Sequence, residues 1–252
     1  MEDVITEAAP PSRLLEEDLN NFTPPSKPLP SPFLLSPHTQ QQQPLKPNLL
    51  IIAISSPSLS LFQSFLNSQT LTASLILPEL PLSHPDNTID IHPISSTILL
   101  AAVRCPVPDN RAYAIADALL NNQIRPDAVV ILDSIQPMNH RGLLSSDEAV
   151  AFKLESSAER KKTVGEKLLG GLEYYPSGSV VDGLGAAILG RCQILNLRAS
   201  LCVSWPHFDS SVVLLLKDLI QPLAEFDFGL NGDEALKFGR NRDHVFQSHL
   251  YI

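Results

Sequence analysis

The sequence contains one glycine-rich stretch, residues 182–190 (DGLGAAILG), of the kind that binds dinucleotides when it joins a strand to a helix. Glycines at such a turn let the backbone approach a pyrophosphate, whose charge the helix N-terminus stabilises. The GxGxxG pattern needs a third glycine where Ile188 stands. The P-loop pattern is absent from the sequence as well. The stretch therefore predicts close packing of a helix on a sheet rather than a nucleotide cofactor.

Nucleophilic serine and cysteine residues are the next chemistry to consider. The nearest text to the GxSxG elbow of serine hydrolases is residues 176–179 (PSGS), which lacks both flanking glycines and predicts a turn. Cys105 or Cys202 would need His207 as a base, but both cysteines lie in apolar, strand-like runs. Thiols in such runs are usually buried and inert. The sequence thus predicts no catalytic nucleophile.

Metal-binding and acid–base chemistry also lack a clear signature. The 7 histidines are scattered, with none in HxxxH or HExxH register, and the 3 cysteines include no CxxC pair. Asp127, Asp133 and Asp182 stand near predicted strand ends, where α/β enzymes place catalytic carboxylates. Such aspartates also cap helices and form turns, and this role is favoured. We therefore predict no metal, no cofactor and no enzymatic activity.

Charge and hydropathy restrict the partners and the compartment. The net charge is -9 and basic residues cluster only at residues 160–162, so a phosphate backbone would find little to neutralise. The longest apolar runs fall far short of the ~20 residues that span a bilayer. Residues 1–13 lack the basic and apolar regions of a secretory signal. We expect no nucleic-acid or membrane partner. The expected location is the cytoplasm, with the nucleus as a second compartment.

The chain divides by composition into three segments. Residues 1–47 hold 10 of the 22 prolines and a glutamine tract, so they bury too little apolar surface to offset their ordering entropy. This segment is predicted to be disordered. Residues 48–242 carry the apolar periodicities of one α/β domain, and residues 243–252 form a polar spacer with an apolar end.

Within the domain, apolar runs alternate with helical periodicities. Strands are predicted at residues 49–54, 72–77, 97–103, 128–132 and 199–203. Helices are predicted at residues 57–66, 111–121, 182–195, 209–226 and 233–247, with Asp109 capping the second and Tyr113 on its buried side. The proline-rich residues 78–93 are interpreted as a loop, and the charged residues 133–175 as a loop with some helix. The alternation predicts a mostly parallel sheet flanked by helices on both faces.

The last three residues, Leu250-Tyr251-Ile252, have the format of a docking motif. A mobile tail can place its free carboxylate against a lysine or backbone donors of a partner. The tyrosine ring then fills an apolar slot, with its hydroxyl bonded at the rim. The alternative is a final strand or a frayed end.

This tail and two internal segments resemble the proteasome assembly chaperone family, and within it the first member of the chaperone pair. Residues 49–54 and the helix after them look like the family's opening strand and helix. Residues 183–194, in which an Ala-Ala pair precedes a Cys-Gln pair, look like its late helix. The last three residues match the family's hydrophobic-tyrosine-any ending position by position. The resemblance covers residues 48–252 in layout and these three segments in detail.

The resemblance implies an obligate heterodimer with a second, homologous chaperone. In the family, the pair binds 20S proteasome α subunits, supports formation of the α ring and inserts the terminal motif between neighbouring α subunits. By resemblance, Leu250, Tyr251 and Ile252 are the α-ring docking residues. The family's fold is akin to that of nucleoside phosphorylases without their catalytic residues, and no nucleotide or metal is implied.

Two alternatives remain open. A small-molecule enzyme of the same α/β architecture, a phosphorylase or hydrolase, would need an active-site motif that the sequence lacks. A generic interaction domain with an incidental tail would bind its partner equally well after removal of the tail.

Overall fold

The computed structural model describes residues 28–36, 44–66, 71–81, 85–121, 123–207 and 210–224. The chain separates into two units, one ending at Pro30 and one beginning at Ser31. Of the first unit only residues 28–30 are described, and they form neither helix nor strand. The helices and strands below belong to the second unit. None of the helices described is long and apolar enough to cross a membrane.

The described residues contain nine strands, which form one sheet. They are β1 (Phe33–Leu35), β2 (Leu49–Ala53), β3 (Ala73–Ile76), β4 (Thr88–Pro93), β5 (Ile98–Val103), β6 (Ala128–Ser134), β7 (Val150–Glu155), β8 (Glu173–Tyr174) and β9 (Arg198–Trp205). Their order across the sheet is β1-β3-β4-β5-β2-β6-β9-β7-β8. Every residue of β2 is buried, as expected for an apolar strand covered on both faces.

The sheet is mixed rather than mostly parallel, which corrects the prediction from sequence. Its centre is parallel, because β5, β2, β6 and β9 run in one direction. On one side β4, β3 and β1 continue the sheet in antiparallel pairs. On the other side β7 runs antiparallel to β9 and carries the short β8. Crossover helices account for the parallel centre, and the antiparallel flanking pairs need no helix between them. β8 runs parallel to β7, and the connection between these two strands contains the short helix Ser157–Arg160.

Three strands, β4, β7 and the two-residue β8, lie where the sequence predicts loops. β4 occupies the second half of the proline-rich segment, and Pro93 is its last residue, so the prolines flank the ladder rather than interrupt it. β7 lies within the charged segment 133–175. Its Lys153 and Glu155 are buried and paired with each other, which hides this strand from a search for apolar runs.

The helices begin close to where the sequence places them. They are α1 (Ser56–Leu61), α2 (Gln63–Leu66), α3 (Asp109–Leu119), α4 (Ser157–Arg160), α5 (Gly183–Ile194) and α6 (Ser210–Ala224), with 3-10 turns at Pro85–Asn87, Pro137–Asn139 and Val164–Glu166. At the start of α1, the Ser55 side chain accepts a hydrogen bond from the Ser58 N–H. Two predictions for α3 are wrong. Its cap is Pro108, which leaves Asp109 as the first helical residue, and Tyr113 is 57% exposed.

Helices cover both faces of the sheet, which confirms that part of the prediction. On one face α3 and α5 pack against each other and the sheet, with Ile115 and Ile188 fully buried. On the other face α1 and α6 pack together, with Leu61 and Leu216 fully buried. Each helix thus buries one apolar stripe against an apolar face of the sheet.

Part of the segment predicted to be disordered is ordered. β1 pairs with β3, and Leu34 packs against the core. Leu45 forms a bridge to Ile124, and its carbonyl accepts a hydrogen bond from the Arg125 N–H at 2.8 Å. The prediction is wrong for these residues because main-chain pairing and burial of Leu34 offset the entropy of ordering them. Residues 1–27 and 37–43, the predicted helix at 233–247 and the tail at 243–252 lie outside the described residues.

Candidate functional site

A cleft opens near the carboxyl ends of the central parallel strands, beside the N-terminus of α5. Its volume is about 290 Å³, close to the lower limit of small-ligand pockets. Ile54, Val103, Asp133 and Val203 come from the four central strands or the residues directly after them. In open α/β sheets, ligands characteristically bind at this edge. The cleft is therefore the candidate site on the described domain.

Asp133, near the end of β6, brings a carboxyl group to the cleft. Its Oδ1 accepts a hydrogen bond from the Ser134 N–H at 2.8 Å, whereas its Oδ2 accepts none from the residues that the structure describes. Burial raises the pKa of Asp133 to about 6, and the negative charge of Asp182 adds to the rise. The carboxyl therefore titrates close to neutral pH, which is common among functional acids.

The first turn of α5 leaves room for this carboxyl. A Cβ atom at Gly185 would lie 2.5 Å from Oδ2 of Asp133, so a side chain there would displace the carboxylate. Gly183 has a φ of 63°, which residues with a side chain rarely adopt. Ile188, at the position of the missing third glycine, is fully buried. The glycine-rich stretch thus packs a helix closely against the sheet, as predicted.

Two loops beside the cleft are joined by hydrogen bonds. The Asn139 side-chain amide donates to Asp182 Oδ2 at 2.7 Å, and the Val180 N–H donates to the Asn139 carbonyl at 2.8 Å. The Arg141 N–H donates to Ser179 Oγ at 2.8 Å. Asp182 is the N-cap residue of α5, but its side chain does not bond the helix N-terminus. The Asn139 amide therefore fixes the Asp182 carboxylate in place of a capping bond.

Tyr175 adds an aromatic wall to the cleft. Its ring lies 5.5 Å from the His140 ring and 5.9 Å from the Phe152 ring, measured between centroids. Burial raises the pKa of the Tyr175 hydroxyl, and a hydrogen bond with Ser179 acts in the opposite direction. The hydroxyl is consequently protonated at neutral pH and can donate a hydrogen bond.

The lining of the cleft is acidic. Asp109, Asp133 and Asp182 line it, and no lysine, arginine or histidine does so among the described residues. The positive end of α5 offsets about half a unit charge at this place. The combined negative charge of the three carboxylates is larger than this half unit of positive charge, so the cleft is negative at neutral pH.

The structure brings together two of the three aspartates singled out from the sequence. Asp133 and Asp182 both line the cleft, whereas Asp127 precedes the first residue of β6 and so lies at the opposite edge of the sheet. The sequence does carry a signal for this pairing. One aspartate directly follows an apolar strand, and the other directly precedes a glycine-rich helix.

The cysteines are poorly suited to nucleophilic chemistry. Burial raises the pKa of Cys105, which lines the cleft, to about 11. Burial likewise raises the pKa of Cys202, in β9, to about 12. His207, the base that a cysteine nucleophile would need, packs its ring against Trp205. Within the described ranges, no group of His, Cys, Asp or Glu side chains is arranged to hold a metal ion.

A second polar cluster lies on β7 and β8 and includes none of the cleft-lining residues. Glu155 accepts hydrogen bonds from Lys153 at 3.0 Å, from Lys167 at 2.9 Å and from the Tyr174 hydroxyl at 2.6 Å. Burial by itself would raise the pKa of Glu155, but these bonds outweigh it and lower the pKa to about 2. Both lysines and the tyrosine hydroxyl are thus bonded to Glu155, as in a structural ion-pair network.

Solved structures identify the fold. PbaA of Pyrococcus furiosus, an archaeal homolog of proteasome-assembly chaperone, matches with a TM-score of 0.59 at 13% identity, over 83% of this chain and 87% of that chain. PbaB of the same organism, an archaeal proteasome activator, matches with a TM-score of 0.58 at 10% identity, over 83% and 94%. A Thermoplasma acidophilum protein of unknown function matches with a TM-score of 0.57 at 17% identity, over 76% and 83%. No protein-family model and no curated protein matches the sequence.

At these identities the likeness establishes the fold alone. The chain has the fold of these proteins and spans most of their length. The resemblance drawn from the sequence is confirmed at this level. Membership of the first type within the chaperone pair, and the likeness to nucleoside phosphorylases, stay predictions. The docking residues Leu250, Tyr251 and Ile252 lie outside the described residues.

Proposed function

We propose that this protein is a chaperone of 20S proteasome assembly. The observation that carries the proposal is the fold, which matches an archaeal homolog of proteasome-assembly chaperone over 83% of this chain and 87% of that one. The ending Leu250-Tyr251-Ile252 supports it separately, because this argument rests on the sequence and not on the fold. The chain acts as a heterodimer with a second, homologous assembly chaperone, and the pair binds α subunits in the cytoplasm or nucleus.

In the proposed mechanism the α/β body supplies most of the affinity and the tail sets the register on the α ring. The Tyr251 ring fills an apolar slot between neighbouring α subunits. The carboxylate of Ile252 bonds a lysine or backbone donors at the rim of that slot. One aromatic anchor with one charge-assisted bond contributes about 2–4 kcal/mol to binding.

A small-molecule enzyme of similar architecture is the weaker proposal. The cleft offers carboxyl groups, but its one thiol, on Cys105, is protonated at neutral pH because burial raises its pKa to about 11. Two structural neighbours of this chain are an assembly-chaperone homolog and a proteasome activator. The chaperone proposal accounts for both the fold and the tail, whereas the enzyme proposal leaves the tail unexplained.

A pull-down of α-ring intermediates tests the proposal. The tagged full chain is co-expressed with candidate partner chaperones and α subunits, beside a version that lacks residues 250–252. Thermal unfolding of both purified forms serves as the control, because equal unfolding temperatures show that the deletion leaves the domain folded.

The full chain is expected to retain α subunits and a partner chaperone, and the shortened chain to lose most of the α subunits. Retention of α subunits by both forms would reject the role of the tail and keep the chaperone function. If neither form binds an α subunit with any partner, the chaperone function is wrong.

A further inference from the structure

The acidic cleft has no assigned role in the proposed chaperone function. Asp109, Asp133 and Asp182 line it without a lysine, arginine or histidine among the described residues. Elsewhere in the domain a buried carboxylate is paired with cations, as the contacts of Lys153 and Lys167 with Glu155 illustrate. Carboxylates that face a cleft without a cation invite a positively charged occupant.

The hydrogen bonds made within the cleft leave acceptor atoms available. Asp133 uses Oδ1 to bond its neighbour's N–H and leaves Oδ2 without a partner among the described residues. Asp182 accepts the Asn139 amide at Oδ2, so its Oδ1 stays available. Because the side-chain nitrogen of Asn139 donates in this bond, the side-chain carbonyl oxygen of Asn139 is a further acceptor. An ammonium group has three donors and a guanidinium group five, which suits such a set.

Part of the cleft lining is apolar. Val107, Val181 and Leu184 line it together with the aromatic ring of Tyr175. A volume of about 290 Å³ is sufficient for a small cationic head on a short aliphatic stem. The cleft thus combines carboxylates with apolar side chains, which fits the head and stem of an alkylamine or of a lysine or arginine side chain.

We propose that this cleft binds a cationic nitrogen group, an ammonium or a guanidinium, carried on a short apolar stem. The carboxylates of Asp133 and Asp182 hold the charge, and the valine and leucine side chains hold the stem. The occupant is a free amine or a basic side chain of a partner protein. The site belongs to the body of the domain and does not depend on the proposed role of the tail.

The folded domain maintains this site at a cost. Asp133 is an ionisable group buried without a basic partner in the described part of the chain, a combination that reduces stability. Functional sites are where such uncompensated groups persist. A bound cation would supply the missing countercharge without a change of fold.

NMR titration of the full chain tests the proposal. The probes are n-butylammonium and n-butylguanidinium, and the neutral and anionic controls of similar size are n-pentanol and pentanoate. The signals to follow are the backbone amides of Ser134, Val181 and Gly183. The protein variants are Asp133→Asn and Asp182→Asn, with Asp127→Asn as the matched control at the opposite edge of the sheet.

The cations are expected to shift the cleft signals to saturation with a Kd of about 1 mM, and the two controls to bind at least about tenfold more weakly. Asp133→Asn and Asp182→Asn should each weaken cation binding about tenfold or more, while Asp127→Asn leaves it unchanged. Equal binding of n-pentanol, unchanged binding in both cleft variants, or no shift at about 100 mM cation would overturn the proposal.

A pair of capped tripeptides separates the two sources of the cation. Acetyl-Val-Lys-Val-amide presents the lysine head on a peptide, and the same peptide with norleucine removes the charge. Tighter binding of the lysine peptide than of n-butylammonium would identify a partner side chain as the occupant. Binding of n-butylammonium alone would identify a free amine.

Discussion

The Asp133 carboxyl occupies the space that a side chain at position 185 would fill. A Cβ atom on Gly185 would lie 2.5 Å from Asp133 Oδ2 and 3.4 Å from a methyl group of Leu201. The end of β6 and the first turn of α5 are therefore mutually dependent, although they are far apart in sequence. This relationship explains why a helix of high apolar content keeps a glycine in its first turn, where alanine would be the better helix former.

Gly185→Ala should consequently destabilise the domain. The added methyl group collides with Asp133 Oδ2, so the variant loses about 1–3 kcal/mol in urea denaturation. Gly190→Ala in the same helix is the matched control. A Cβ atom there meets nothing within 4 Å, so this variant should gain about 0.5–1 kcal/mol.

A double variant assigns the cause of that loss. In an Asp133→Ala background the carboxylate is gone, so adding Gly185→Ala should cost less than it does in the natural protein. An equal cost in both backgrounds would mean that the contact with Leu201, and not the one with Asp133, excludes a side chain.

Asp133→Asn should raise the stability of the free protein at neutral pH. The pKa of Asp133 rises from 3.8 to about 6 on folding, so the folded state holds this proton more tightly than the unfolded state. Stability is therefore lost as pH rises from 3.8 through about 6, and the full loss at pH 7.5 is about 3 kcal/mol. The neutral variant escapes this loss.

Urea denaturation between pH 4 and pH 8 measures the effect of Asp133→Asn. The difference in unfolding free energy between the variant and the natural protein should grow as pH rises through about 6 and then level off. A variant that is less stable than the natural protein at pH 7.5 would contradict the burial argument.

The sequence predicts the centre of the fold far better than its edges. β2, β5, β6 and β9 are apolar runs that need burial on both faces, and only a helix-covered parallel sheet provides it. β4 and β7 carry polar residues whose partners are distant in sequence, such as Ser74 for Asp90 and Lys167 for Glu155. These partnerships exist only after folding, so composition alone predicted loops.

The cleft could be predicted only in part. The end of a strand identifies Asp133 as a candidate, and the start of a glycine-rich helix identifies Asp182. The side-chain capping role that the sequence favoured does not describe either residue. The Asn139 side chain reaches Asp182 from a loop with no periodicity, and Tyr175 is ordered by two aromatic rings elsewhere in the chain. Neither contact can be predicted from the spacing of residues in the sequence.

Glu155→Gln should destabilise the domain by about 3 kcal/mol at neutral pH, because it leaves the buried Lys153 without its anion. Folding lowers the pKa of Glu155 from 4.5 to about 2, so its contribution is complete above pH 4.5 and is lost as pH falls towards 2. The difference between natural protein and variant should therefore shrink in acid. Glu173→Gln, on the exposed β8, is the control and should change the unfolding free energy by less than about 0.5 kcal/mol.

Tyr251→Ala should weaken α-subunit binding while leaving the unfolding temperature unchanged. Loss of a central aromatic anchor costs about 2 kcal/mol, or roughly a 30-fold rise in Kd. Tyr113→Ala, which removes a 57% exposed ring from α3, is the control for non-specific loss of aromatic surface. Surface plasmon resonance on immobilised α subunits measures both. Equal loss in the two variants would argue against a docking role for the tail.

The edge strand β1 should add stability through one side chain. Leu34 packs against the core from β1, whereas its neighbour Leu35 is 55% exposed. Leu34→Ala should therefore reduce the unfolding free energy by about 1–2 kcal/mol, and Leu35→Ala should leave it almost unchanged.

Deleting residues 1–36 would also expose the backbone N–H and C=O groups of β3 that now pair with β1, which should promote aggregation during heating. Deletion of residues 1–27 alone is expected to change neither property, and a large loss of stability in that shorter deletion would reject the prediction that these residues are disordered.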